Sequence, residues 1–124
     1  MVVEASRAIR ERITKMITSI DVDSDVIEAE LVNEAINLFH QYKPGFVLLD
    51  LLLPDGHGLQ VLKAIKECPE STSVLVMSND PNDLYKKRSL ELGATYFFDK
   101  VKDFDKVIQA VEEILVHSST IVKR

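Results

Sequence analysis

The segment Phe46-Val47-Leu48-Leu49 is an unbroken apolar run that ends directly on an aspartate, Asp50. A strand with one wet face alternates apolar and polar residues. A strand without that alternation must be covered on both faces, as in a parallel sheet flanked by helices. Val74 to Met77 has the same character. Two such strands commit the chain to a sheet with a helical layer on each side, and the remaining segments supply the helices. From Ser6 to Ile20 the residues Ile9, Ile13, Met16, Ile17 and Ile20 form one helical stripe. Arg10, Glu11, Arg12 and Lys15 fall mostly outside it, and Ser6 is its N-cap.

A short strand at about Val26 to Leu31 follows the polar turn Asp21 to Asp25, and a second helix at about Asn33 to Tyr42 stops at Lys43-Pro44-Gly45. A turn rich in Pro and Gly, Pro54 to Gly58, leads into a helix carrying Leu59, Val61, Leu62 and Ile65. Asp80-Pro81 predicts an N-cap and a first-turn proline for a fourth helix, which Gly93 closes. Ala94 to Phe98 is the last strand, and Phe104, Val107, Ile108, Val111, Ile114 and Leu115 mark the last helix. Strands alternating with helices define an α/β fold, a three-layer doubly wound sandwich around a parallel sheet.

The 124 residues suit one domain over 1–124, with a tail at 118–124 polar enough to fray. Twenty acids against 15 bases give a formal charge of −5, which disfavours direct nucleic-acid binding. Cys68 is a lone cysteine and reads as a packing residue near a helix end. No apolar run approaches the ~20 residues of a membrane span, and no signal-peptide core stands at the N-terminus. A soluble, cytoplasmic protein is expected.

In open parallel sheets the functional crevice lies beyond the carboxyl ends of the strands. The residues at those ends are Glu4, Asp50, Ser78 and Lys100. Two acids, a hydroxyl and an amine suit phosphoryl chemistry: a carboxylate as nucleophile, a hydroxyl and an ammonium for the phosphoryl oxygens, carboxylates for a divalent cation such as Mg²⁺.

At these positions the chain resembles the response-regulator receiver family of two-component systems, with the flavodoxin-like fold of the chemotaxis regulators. The resemblance is carried by Phe46 to Asp50 followed by Pro54 and Gly58, by Val74 to Ser78, and by Gly93-Ala94 through Phe97 to Lys100. It implies a five-stranded parallel sheet in the order 2-1-3-4-5. It further implies that Asp50 is the phosphoacceptor, that Ser78 and Lys100 bind the phosphoryl group, and that Phe97 is the switch aromatic. The metal ligands it implies are Asp50, the backbone carbonyl of Leu52 and, weakly, Glu4. The implied phosphodonor is a sensor histidine kinase or phosphotransfer protein. The implied output surface is the fourth helix, fifth strand and fifth helix, meeting a downstream partner, an attached output domain or a second copy in a homodimer. Such a chain is a phosphoacceptor rather than an enzyme.

Two features depart from the family pattern. The first strand is truncated, occupying only residues 1–5, and should leave part of both neighbouring strands unpaired. The family ends this strand on two acids, whereas here Glu4 is followed by Ala5, which cannot ligate a metal. The alternative is therefore a pseudo-receiver, an interaction module with lost or weak Mg²⁺-dependent phosphorylation. A small α/β hydrolase using Asp50 as nucleophile is a third reading, short of a second group clearly placed for acid–base work unless Glu4 serves.

Overall fold

The computed structural model describes all residues except Glu70, Pro81, Lys123 and Arg124, with side chains described to Val116. The elements are β1 (Val2–Val3), α1 (Arg7–Ile20), β2 (Glu28–Ala29), α2 (Val32–Tyr42), β3 (Phe46–Asp50), β4 (Leu52–Leu53), β5 (Gly56–His57), α3 (Gly58–Lys66), β6 (Ser73–Ser78), α4 (Asp83–Glu91), β7 (Tyr96–Asp99) and α5 (Phe104–Val122). The main sheet runs β2-β1-β3-β6-β7, and every pairing in it is parallel. Counted among its own five strands this is the expected order 2-1-3-4-5.

The apolar run that requires two covered faces has them. Val47 and Leu49 point into one core with Val74, Val76 and the inner faces of α2 and α3. Leu48, Leu75 and Met77 point into the other, against Ile13 and Ile17 of α1 and Val107, Ala110 and Val111 of α5. The division follows from the two-residue period of a strand. Cys68, just past α3, packs against the first of these cores.

The first strand is short but tied on both edges. Val2 N–H donates to Ile27 O at 2.8 Å and Glu4 N–H to Ala29 O at 2.9 Å on the β2 side. On the β3 side Leu48 N–H donates to Met1 O at 2.9 Å, and the Met1 amine donates to Phe46 O at 2.8 Å. That last contact supplies a backbone acceptor expected to go without a partner.

Three expectations need correcting. The N-cap of α4 is Asn82, whose side chain accepts from Leu84 N–H at 2.8 Å. Asp80 stands two residues before that cap, with its N–H and carbonyl bonded to the Ser78 hydroxyl, and Pro81 lies outside the described residues. The turn after Asp50 is a small antiparallel hairpin, β4 against β5, pairing Leu52 with His57 and Leu53 with Gly56. Arg10 is buried, at 7% exposure, because three acceptors surround it. The segment expected to fray falls within α5 as far as Val122, and its side chains, with that of His117, lie outside the described ones.

Gly58, at the start of α3, sits on the backbone of the third strand. A Cβ there would meet Asp50 O at 2.3 Å and Leu51 Cα at 2.8 Å, and backbone cannot swing aside as a side chain can. A Cβ on Gly45 would meet nothing within 4 Å. Gly58→Ala should therefore destabilise by about 2 kcal/mol or more, while Gly45→Ala stays within about 0.5 kcal/mol of wild type. Urea unfolding of both variants decides this; equal effects would refute the close packing of α3 on the end of β3.

Candidate functional site

Register brings the strand ends together. Val3 pairs with Leu49, so Glu4, the next residue, stands beside Asp50. Asp50 in turn pairs with Met77, and Ser78 with Asp99, so Ser78 and Lys100 close the same edge from the other side. The turn carrying Lys100 is fixed by its neighbours. The Asp99 carboxylate accepts from Lys102 N–H at 3.0 Å and Val101 N–H at 2.8 Å, which holds its pKa below the ordinary 3.8. Lys100 N–H donates to Ser78 O at 2.9 Å.

The result is a buried cluster of three charges. The side chains of Glu4, Asp50 and Lys100 are only 2%, 8% and 7% exposed. Lys100 Nζ lies 2.5 Å from Glu4 Oε1 and 3.2 Å from Asp50 Oδ2. Glu4 Oε2 accepts from Ser6 N–H at 2.8 Å, and Asp50 Oδ1 from Leu52 N–H at 3.3 Å. Burial, then the neighbouring Glu4 charge, push the Asp50 pKa up, against Lys100 and the Leu52 N–H, which pull it down. For Lys100, burial acts to lower the pKa, but Glu4 and Asp50 outweigh it and hold the ammonium above its ordinary 10.5.

Of the residues singled out in the sequence, Asp50, Glu4 and Lys100 therefore meet. Ser78 is buried at the next strand end, with its hydroxyl donating to Asp80 O at 2.9 Å and accepting from Asp80 N–H at 3.1 Å. Phe97 is half-buried and packs with the core on the α2–α3 side. Its neighbours Tyr96 and Phe98 stack on the opposite face, centroids 5.5 Å apart. Leu52 presents its peptide to Asp50 while its side chain is exposed.

Asp50 and Glu4 are the two carboxylates at this edge that could hold a divalent cation. Mg²⁺ is usually held by one or two carboxylates together with waters. Here the Lys100 ammonium engages both carboxylates, Ala5 offers no donor, and the described residues contain no group of three or more His, Cys, Asp or Glu able to hold a metal. Among the described residues no helix is long and apolar enough to cross a membrane.

Two site-supporting residues escaped the sequence. Arg10 donates to Glu4 O at 2.8 Å, Glu28 at 2.9 Å and Glu30 at 2.9 Å, pinning the end of β1 to that of β2. The one available signal was the alternation of Glu28 and Glu30 along the second strand. Asp55 accepts from Val32 N–H at 2.7 Å and Asn33 N–H at 3.4 Å, capping α2 from a distant loop, for which the sequence holds no local signal.

The fold and this cluster define a receiver, and comparison with known proteins agrees. Residues 1–112 match the family model described as response regulator receiver domain, and the chain belongs to that family. It is 33% identical over 90 residues to the Fimbriae Z protein of Salmonella typhimurium strain LT2, covering 73% of this chain and 43% of that one. The chain spans about half the length of the curated relatives it matches. Among solved structures, the phosphorylated cyanobacterial phytochrome response regulator RcpA is 27% identical at a TM-score of 0.77, covering 91% of this chain and 87% of that one. The Mn²⁺-bound response regulator Rcp1 is 25% identical at 0.67, covering 91% and 88%.

Proposed function

We propose that this receiver accepts a phosphoryl group on Asp50 from the phosphohistidine of a sensor histidine kinase or phosphotransfer protein. The observation that carries this is the Asp50 carboxylate at the end of an interior strand, 3.2 Å from the Lys100 ammonium. An Asp50 oxygen forms the new bond to phosphorus as the phosphorus–nitrogen bond breaks, and the donor imidazole leaves with the electron pair and takes up a proton. Lys100 faces the charge that accumulates on the phosphoryl oxygens. The chain is the acceptor in this transfer rather than a turnover enzyme. A cytoplasmic site of action fits a donor of this kind.

The output then follows from two exchanges. The Ser78 hydroxyl leaves Asp80 for a phosphoryl oxygen, which frees the turn before α4, and Phe97 repacks. The surface that changes is α4, β7 and α5. α4 is poised for this, since Ser89 is its one buried residue while Leu84 and Leu90 are exposed alongside Val101. Lys86, Lys87 and Arg88 are exposed on the same helix. A downstream partner, an output domain or a second copy would meet this face.

We further propose that Mg²⁺ binds weakly, because it must displace Lys100 from two carboxylates with no acid at position 5. Asp50, Glu4 and the Leu52 carbonyl would be its ligands. The Mn²⁺-bound relative supports a divalent cation in this family, and the pseudo-receiver reading is the limit in which that binding is lost.

Two experiments test these proposals. After incubation with a small-molecule phosphodonor and Mg²⁺, intact mass should rise by one phosphoryl group, and Asp50→Asn should abolish the rise. Labelling that survives in Asp50→Asn would sink the assignment, and no uptake under any condition would favour the pseudo-receiver. In a Mg²⁺ titration, Ala5→Asp should strengthen binding about tenfold or more, since about 1.4 kcal/mol of added charge attraction suffices. Equal affinities would show that Glu4 already fills the role.

A further inference from the structure

We propose that Asp55 is a positioning residue for phosphoryl acceptance, holding the β4–β5 hairpin, and with it the Leu52 peptide, against the Asp50 carboxylate. The proposal rests on the phosphoacceptor assignment above. Its starting point is a helix that lacks a cap of its own. The N-cap residue of α2 is Leu31, which has no side-chain acceptor, so the first N–H groups of α2 need a partner from elsewhere. Asp55 supplies one from the hairpin, with Oδ1 on Val32 N–H at 2.7 Å and Oδ2 on Asn33 N–H at 3.4 Å. A carboxylate there also meets the positive end of the helix dipole.

The hairpin needs this anchor as much as the helix needs the cap. Its strands are two residues each, too short to hold a conformation alone. Its base touches the reacting group, because Leu52 N–H donates to Asp50 Oδ1 at 3.3 Å. Its exit is held by α3, where Gln60 Oε1 accepts from His57 N–H at 3.0 Å and the His57 ring accepts from Leu59 N–H at 3.2 Å. At its tip Gly56 lies close to α2, where a Cβ would come within 3.2 Å of Val32 Cγ2. Asp55 thus closes the free end of a short lever whose other end carries the Leu52 peptide. Without it, the groups beside Asp50 lose their fixed place, and misplacement of about 1 Å at a reacting centre can cost orders of magnitude in rate.

The test compares Asp55→Ala and Asp55→Asn with Ile17→Val, a core change under α1 remote from the hairpin that controls for lost stability. Well below the melting temperature, Asp55→Ala should lower the saturating rate of phosphorylation about tenfold with the half-saturating donor concentration unchanged. Asp55→Asn keeps the Oδ1 acceptor and should recover most of the rate, and Ile17→Val should match wild type. Amide exchange at Leu52 should quicken in Asp55→Ala and stay put in Ile17→Val. A merely structural cap would lower the melting temperature of Asp55→Ala while leaving rate and Leu52 exchange as in wild type, and that result overturns the proposal. If wild type itself takes no phosphoryl group, the phosphoacceptor assignment fails, and unchanged Leu52 exchange in Asp55→Ala separately overturns the coupling.

Discussion

One lysine between two buried carboxylates is the contact around which this molecule is arranged. Lys100 reaches Glu4 and Asp50 at the carboxyl edge of the sheet, where all three side chains are nearly sealed from water. Ionised groups in such a place are costly unless paired and hydrogen-bonded. The surroundings meet that demand one bond at a time. Glu4 takes the Ser6 N–H, Asp50 takes the Leu52 N–H, and the Asp99 turn aims the lysine inward. Arg10 ties the ends of β1 and β2, so that Glu4 enters from a fixed backbone. The interior strands are apolar on both faces, which leaves their ends as the place where polar groups converge.

The same arrangement sets the chemistry. Burial first, and then the second carboxylate of Glu4, raise the Asp50 pKa against the pull of the single ammonium. An incoming divalent cation would relieve the repulsion between the carboxylates, but the lysine already occupies both. An incoming phosphoryl group would instead find the lysine in place. The same charges therefore serve two competing uses, and Ala5 adds no donor to either.

What could be read from the sequence depended on whether the signal was local. β3 and β6 were legible because runs such as Phe46 to Leu49 admit only a strand covered on both faces. α1 was legible because its stripe and the Ser6 cap agree, and the structure shows the Ser6 hydroxyl accepting from Ile9 N–H. The meeting of Asp50, Glu4 and Lys100 followed from the rule that strand ends converge. The α4 start was misplaced because Asn82, two residues after Asp80, offers an equally good capping side chain and takes the Leu84 N–H. Arg10 was put on the wet side of its helix because a charge is normally found there, and its acids lie 18 and 20 residues away. Asp55 was silent for the same reason: a cap supplied across 23 residues leaves no pattern along the chain.

The central claim is that burial and the Glu4 charge outweigh Lys100 at Asp50, so that its pKa stands above the ordinary value. Its folded-state pKa is raised, so ionisation of Asp50 subtracts from stability, and this penalty vanishes once the pH falls below 3.8, the ordinary value, where the group is protonated folded or unfolded. Urea unfolding of wild type and Asp50→Asn across that range reads the claim directly. Lys100 keeps Glu4 as a partner in the variant. Asp50→Asn should therefore be more stable than wild type at neutral pH, with the advantage shrinking as the pH is lowered. A variant less stable than wild type at neutral pH, with the gap closing on acidification, would show that attraction to Lys100 outweighs burial and Glu4, and would contradict the account.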